Sequence, residues 1–423
     1  MADFIGISAL QEIAKKFSPQ IIVGAAHFRP DVFTRMKIAV ETGIQFQSVK
    51  TIMLRKGHTT ERKVVGSGLE STIGYMVERK CVARLAWNHY KDNKDKYVEL
   101  AIVDAADNTK FNYPLSEVAM MAALANYGED LFDCLFHGDD TIDSKNKAAA
   151  NWYLHIYTGF ITYLANDIAA GLIHAENKNL VTIGAIDAPA NKEDADAFNQ
   201  FVAFRNQWHS NLQNAPEVLV YCTEATGYNI ARAYANANGG HMFVNYNSDG
   251  SFKFPEWRNI TVVPESALGE GDKLIATVPY NFEYCVDSLN SKSGITVREG
   301  SDNDHMDITY QVQSIQGTRV LNINSSYFCM TTGALAPKDI AGDYTKDLFV
   351  VSANDAAMGT VTVNGAAPDN TVGYAANTSL ELAASAKSGY EFVQWSDGVT
   401  SATRTVVTKG QPGGVIAIFK KTA

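Results

Sequence analysis

The chain has 423 residues, too many for one ordinary core and suited to two or three domains. Hydrophobic residues make up 46% and charged residues 19%, so most of the chain is expected to fold rather than stay disordered. The net charge of -10 argues against a protein that grips nucleic acid along its whole surface, because such binding neutralises phosphates with Lys and Arg. The charge is uneven. Residues 1–65 hold ten Lys/Arg against five Asp/Glu, so the remainder is strongly acidic. A basic segment and an acidic body suit contacts between copies of one chain; an ordinary solvated basic stretch is the plainer alternative.

The start, MADFIGISALQEIAKKF, lacks a basic n-region and a long apolar run, so no signal peptide is expected. No apolar run is long enough to span a membrane. Cys81, Cys134, Cys222, Cys285 and Cys329 are scattered with no C-x-x-C pair, the pattern of buried thiols in a reducing compartment.

Residues 4–17 read as a short amphipathic helix, with Phe4, Ile7, Leu10, Ile13 and Phe17 at helical spacing. Residues 20–45, with Pro30 inside, read as an irregular, extended arm. Two long strand-like runs follow, Ile44–Gly57 and Ser71–Trp87. In the second, Ile73, Tyr75, Val77, Cys81, Ala83, Leu85 and Trp87 share one parity, the mark of a one-faced strand. At about 3.3 Å per residue such a ribbon reaches roughly 40 Å. A two-stranded ribbon is marginal alone, so its apolar face is expected to lie on a neighbouring subunit. The spacing predicts a long helix over 114–136, with Pro114 at its first position and Gly138 closing it. A second helix is expected over 193–213. Next comes a strand, EVLVYCT, and a helix capped by Thr223 and stopped by Gly239-Gly240. HMFVNY and SFKFPEW read as a hairpin across Asn-Ser-Asp-Gly, and HMDITYQVQSI and TRVLNINSSYF as another across Gln316-Gly317. From about Met358 short strands alternate with turns: GTVTVNG, SLELAASA, YEFVQWS, ATRTVVT and GVIAIFK. Residues 356–423 read as a separate small β domain.

Candidate chemistry is sparse. NYNSDGSFKFPE, Asn245–Glu256, matches a calcium loop with Asn for the first Asp, but Lys253 and flanking strands favour a hairpin turn. GSGLES lacks the third glycine of a dinucleotide loop. HGDDTID and DNDHMD read as polar turns. No metal-spaced His pair, nucleophile elbow or P-loop occurs. Neither a catalytic, cofactor nor metal site is expected, and the chain is not expected to be an enzyme.

The order of arm, ribbon, long helix, mixed body and closing strands resembles the major capsid protein of tailed bacteriophages with the Hong Kong 97 fold. YPLSEVAMMAALANYGEDLFDCLFHGDDTI is similar to its spine helix and exit, VLVYCTEATGYNIARAYAN to a strand-helix unit of the axial domain, and VVPESALGEGDKLIATVPYNFEYCVD to the family's late segment. The resemblance covers about residues 1–340 and implies an α+β fold. Its parts would be an N-terminal arm (1–43), an extended β-hairpin (44–90), a peripheral domain (91–150 and 291–345) with spine helix 114–136, and an axial domain (151–290). It implies a virion shell subunit that forms hexamers and pentamers and closes an icosahedron around double-stranded DNA, without sequence-specific contacts, after assembly in the bacterial host cytoplasm. Portal and scaffolding proteins are the implied partners, the scaffold as a separate chain. Arg55, Lys56, Arg62, Lys63, Tyr75 and Trp87 are the candidate assembly residues. Some family members crosslink Lys to Asn; no spacing identifies such a pair here.

GTVTVNG, SGYEFVQWSDG and GVIAIFK resemble bacterial repeat modules of the internalin B-repeat type, through Gly389, Tyr390, Phe392, Trp395, Gly398 and Phe419. This implies an all-β, Ig-like or β-grasp-like domain, displayed outside the shell, that cements the lattice or makes a weak glycan or host-surface contact. Tyr390, Phe392, Trp395 and Phe419 are its candidate core, since a small domain needs its large aromatics for stability. Two alternatives are a bacterial surface or adhesin-type protein carrying the module, which would need an export signal, and a soluble enzyme without a motif.

Overall fold

The computed structural model describes residues 24–44, 46–55, 74–93, 115–146, 151–287, 294–299, 307–337, 346–371, 373–375, 377–408 and 413–422. The chain forms two units, Met1–Ile142 with Tyr153–Lys338, and Asp143–Trp152 with Asp339–Ala423. The expected helix over 4–17 and the Pro114 helix start lie outside the described residues.

In the first unit, helices α1 (Gly24–Phe28) and α2 (Pro30–Arg35) lead into strands β1 (Ala39–Thr42), β2 (Gln47–Arg55), β3 (Gly74–Val82) and β4 (Arg84–Asn93). The long helix α3 (Leu115–His137) and α4 (Phe160–Ala169) follow, then β5 (Leu180–Val181), α5 (Asp196–Asn206), α6 (Ser210–Gln213), β6 (Val218–Cys222) and α7 (Glu224–Ala237). Strands β7 (Asn245–Tyr246), β8 (Phe252–Phe254), β9 (Trp257–Pro264), β10 (Ile275–Thr277), β11 (Phe282–Val286), β12 (Gly294–Glu299), β13 (Asp307–Val320) and β14 (Phe328–Thr331) come next.

One sheet runs β5-β14-β10-β6-β9-β8-β7 and separates two apolar cores. Val218, Val220 and Cys222 of β6 face the core with Phe201, Phe204 and Tyr234. Leu219 and Tyr221 face the other, with Phe160, Phe282 and Phe328. A strand covered on both faces is apolar throughout, which is why this stretch shows no alternation. Thr223 caps α7, accepting the Thr226 backbone N–H at 3.3 Å. Gly239 and Gly240 follow at φ +63 and +77, the left-handed stop that glycine tolerates. The expected Asn-Ser-Asp-Gly turn joins β7 and β8 as a hairpin. There Asp249 accepts the Ser251 N–H at 3.0 Å, so its carboxylate serves the turn. Among the described residues no group of three or more His, Cys, Asp or Glu could hold a metal.

The second sheet runs β1-β11-β13-β12, with β4 also on β13. Helix α3 packs on it through Tyr127, whose hydroxyl donates to the Ala86 carbonyl at 3.1 Å and lies 2.7 Å from Ser314 Oγ.

Four expectations need correction. From residue 24 the supposed irregular arm is ordered: Ala25, Val32 and Met36 are fully buried, and β1 pairs in parallel with β11. Pro30 begins α2, where a missing N–H loses no helical bond, and does not break structure there. The helix expected over 193–213 is broken at residues 207–209, where the His209 ring accepts the Asn211 N–H at 3.1 Å and starts α6. The run Ser71–Trp87 is two strands, divided at Ala83. Finally, Gln316-Gly317 is no hairpin turn. β13 runs straight through it, with Gln316 opposite Val286 and Gly317 opposite Cys285.

A glycine is needed at 317 for close approach. A Cβ there would stand 2.9 Å from Cys81 Sγ and 3.0 Å from the Val82 carbonyl oxygen. Gly317→Ala is therefore expected to destabilise the first unit by about 1–3 kcal/mol, the usual range for overpacking. Urea unfolding checks this, and an unchanged midpoint would show that β3 can retreat freely.

The second unit contains strands β15 (Lys346–Ala353), β16 (Gly359–Val363), β17 (Gly373–Ala375), β18 (Ser379–Ala386), β19 (Tyr390–Trp395), β20 (Thr403–Val407) and β21 (Gly413–Lys421). They form two sheets, β17-β15-β21-β19 and β16-β18-β20. Val351, Leu380, Leu382, Trp395, Ala417 and Phe419 fill the core they share. Two packed sheets, with no helix among the described residues of 346–422, make this unit all-β, consistent with an Ig-like module. β15 lies ahead of the composition change near residue 356 and pairs in parallel with β21.

Candidate functional site

The feature that stands apart from the packed body is the ribbon of β2 and β3. Nine residues of each strand pair, Gln47 opposite Val82 through Arg55 opposite Gly74, giving roughly 30 Å of ladder at about 3.3 Å per residue. One ribbon face carries Val49 and Met53 of β2 with Met76, Glu78, Lys80 and Val82 of β3. Met53 and Met76 sit directly opposite each other and are 53% and 73% exposed. Val49 and Val82 are also exposed.

The other face is covered at its base by the chain itself. This alters the expected parity: Arg79, Cys81 and Ala83 are buried, whereas Leu85 and Trp87 beyond the break are exposed. The open apolar residues of the ribbon therefore lie on the opposite face from the expected one.

Two groups of charges hold the base. Arg79, 1% exposed, makes a two-pronged pair with Asp167 of α4, Nη1 to Oδ1 at 2.7 Å and Nη2 to Oδ2 at 2.8 Å. Its Nε donates to the Val320 carbonyl at 2.7 Å, and its guanidinium stacks over the Tyr163 ring at 4.8 Å. The second group centres on Arg319 of β13. Its Nε donates to Glu283 at 3.0 Å, Nη1 donates to Ser48 Oγ at 3.0 Å, and Nη2 pairs with Glu41 and Glu283. Lys50 of β2 joins the same carboxylates, 2.8 Å from Glu283 and 3.2 Å from Glu41. Burial works against the Arg319 charge, but the hydrogen bond and charge of Glu283 outweigh it and its pKa is raised. The ribbon is thus fixed at its base by buried pairs, with Ile52 packed on the first core, while the face bearing Val49, Met53, Met76 and Val82 is open.

Of the candidate assembly residues, Lys56, Arg62 and Lys63 lie outside the described residues, as do the side chains of Arg55 and Tyr75. Tyr75 is opposite Leu54 and Arg55 opposite Gly74 in the ribbon. Trp87 lies on β4, 57% exposed, with its ring 5.6 Å from that of His89. Arg79, Asp167, Arg319, Glu283, Glu41 and Lys50 were missed. One signal was present: Arg79 is the single cation on the apolar parity of β3, and a cation there is either at a strand end or buried against a partner.

In the second unit, Trp395 is fully buried and its Nε1 donates to the Ser401 carbonyl at 2.9 Å. Phe419 is buried, Phe392 half-buried, and Tyr390 half-buried at the start of β19. The register shifts between Phe392 and Gln394. That bulge puts Phe392 beside Trp395 and Phe419, with ring centroids 5.8 and 5.7 Å apart, although strict alternation assigns Phe392 and Trp395 to opposite faces.

Helix α3 carries a titratable feature. Burial, and then the charge of Glu129, push the Asp133 carboxyl up to about 6. A folded-state pKa above the unfolded one makes stability fall as pH rises from about 3.8 to 6, because only the folded chain keeps the proton in that window. Solvent screens this half-buried group, so Asp133→Asn is expected to stabilise the protein by about 1–2 kcal/mol at pH 7.5, and by roughly half that at pH 5. Urea unfolding at the two pH values checks the sign.

Residues 349–423 match the family model of the divergent InlB B-repeat domain. No curated protein matches the chain. Among solved structures the chain is similar to a chain of the satellite phage P4 procapsid with its size determination protein. That match has 11% identity and TM-score 0.42, over 72% of this chain and 95% of that one. It is similar to the capsid of Myoviridae phage XM1, with 12% identity and TM-score 0.45, over 72% and 91%. It is also similar to the cyanophage A-1(L) capsid, with 11% identity and TM-score 0.44, over 74% and 93%.

Proposed function

We propose that this chain is a major capsid protein of a tailed bacteriophage, with the Hong Kong 97-type fold that its sequence resembles. Copies would form hexamers and pentamers and close an icosahedral shell around double-stranded DNA, with portal and scaffolding proteins as further partners and assembly in the host cytoplasm. The observation that carries the reading is the ribbon. A two-stranded ribbon has too little apolar contact to be stable alone. Here its base is clamped by buried ion pairs while Val49, Met53, Met76 and Val82 stay open. Such a face suits a second copy of the chain, and exposed apolar residues gathered in one place favour an interface. Leu85 and Trp87 on β4 are exposed as well. The role is structural rather than catalytic.

The Ig-like unit would sit on the outside of the shell, since a folded domain inside would compete with DNA for volume. With Trp395 and Phe419 inside its core, it would work through its sheet faces, either cementing the lattice or touching glycan or host surface weakly. The match of residues 349–423 to a repeat family also favours a second reading, a surface or adhesin-type protein. Sedimentation velocity separates the two. The capsid reading expects capsomers or shells sedimenting far faster than a monomer, and Met76→Glu should shift material toward monomer. A chain that stays monomeric over a range of salt would contradict it.

A further inference from the structure

Two of the five cysteines face each other where the ribbon meets the body. Cys81 lies on β3 and Cys285 on β11. Both are fully buried and share a small cluster with Ile44, Ala83 and Ile315. Gly317 of β13 is the direct partner of Cys285, so positions 285 and 317 project from the same sheet face. The place a Cβ would take at 317 lies 2.9 Å from Cys81 Sγ. The absent side chain thus leaves the room that the Cys81 thiol fills, on the sheet face that Cys285 shares with position 317. The other cysteines have no such neighbour. Cys134 donates to the Tyr153 carbonyl at 3.3 Å. Cys222 and Cys329 lie on β6 and β14, two strands apart across β10 and offset by two residues, roughly 12 Å by strand geometry and beyond disulfide reach.

We propose that Cys81 and Cys285 are a covalent modification site, a reversible disulfide that staples the base of the ribbon to β11. The oxidant is a low-molecular-weight disulfide. One cysteine, as thiolate, attacks it and releases one small thiol; the other then attacks the protein sulfur of the mixed disulfide and releases the second. Two protein S–H bonds and one small S–S bond become one protein S–S bond and two small thiols, which carry away both electrons and both protons. The neighbouring Cys81 thiol, and then burial, hold the Cys285 thiol protonated, so exchange waits for the ribbon base to open. The link joins residues far apart in sequence, and such a link stabilises chiefly by restricting the unfolded chain. It involves this chain alone and stands whether or not copies form shells.

The test incubates the purified full chain with glutathione disulfide in mildly alkaline buffer and sub-denaturing urea, with reduced glutathione as control. The expected result is a fall in thiols titrated after denaturation from five to three, from the five free cysteines. Peptide mapping should show one linked pair, 81 with 285, free of bound glutathione. The thermal midpoint should rise by roughly 5 °C in the unmodified sequence and stay unchanged in Cys285→Ser. Five thiols still free, a linkage through Cys134, Cys222 or Cys329, or a formed 81–285 link with no rise in midpoint would each overturn the proposal. Because mapping is done on the unmodified sequence, the result does not depend on the variant folding.

Discussion

Arg79→Ala is expected to lower the unfolding free energy by about 3–5 kcal/mol, the cost of leaving one half of a buried pair behind. The partner is Asp167, whose side chain is 8% exposed and whose two carboxylate oxygens each accept from Arg79. The Val320 carbonyl loses its Arg79 donor as well, and Tyr163 loses the cation on its face. Removing both charges should be far milder. Arg79→Met with Asp167→Leu replaces the pair with apolar contact, and such exchanges are often neutral or stabilising. Urea unfolding of the single and double variants makes the comparison. Equal losses in both would mean that the site matters through its volume and not its charge. Limited proteolysis adds a local reading, since a ribbon freed at its base should be cut sooner in Arg79→Ala.

Trp395→Ala is expected to cost about 3–5 kcal/mol in the second unit, the range for large-to-small changes at an aromatic core position. Trp395 is fully buried, touches Phe392 and donates to Ser401. A unit of this size has only a few kcal/mol in hand, so the variant should leave it largely unfolded. Tyr390→Ala, at a half-buried strand start, should cost under about 1 kcal/mol. Because the chain divides into two units, the transition of the first should not move. Two-step unfolding followed by tryptophan fluorescence and circular dichroism would show it. A stable second unit in Trp395→Ala would remove Trp395 from the core and restore it as a surface residue.

The parts of the fold legible in the sequence were those governed by local chemistry. Thr223 as a cap, Gly239-Gly240 as a stop, and the Asn-Ser-Asp-Gly turn each depend on a few neighbouring residues, and all three appear where they were expected. Five strands of the second unit were visible for the same reason. Long-range contacts misled the reading elsewhere. Gly317 looks like a turn residue because glycine is usually a turn residue; here it makes way for Cys81, which is 236 positions away in sequence. The split at Ala83 depends on β13 capturing β4, which period-2 alternation does not report. The bulge at β19 likewise defeats simple parity for Phe392 and Trp395. The candidate assembly residues reflect charge and aromatic character along the sequence from Arg55 to Trp87. The clamp at its base was missed because its members, from Glu41 to Arg319, come together only through the sheet.

The central claim is that the open ribbon face belongs on another copy of this chain, and negative-stain electron microscopy of the purified full-length protein tests it most directly. The account predicts closed shells or ring-shaped capsomers of five and six copies, lost when Met53 and Met76 are both changed to Glu, because these paired residues give the ribbon its open apolar face. A field of single, uniform monomers from the unmodified protein, across low and high salt and with the ribbon intact by mass, would contradict it.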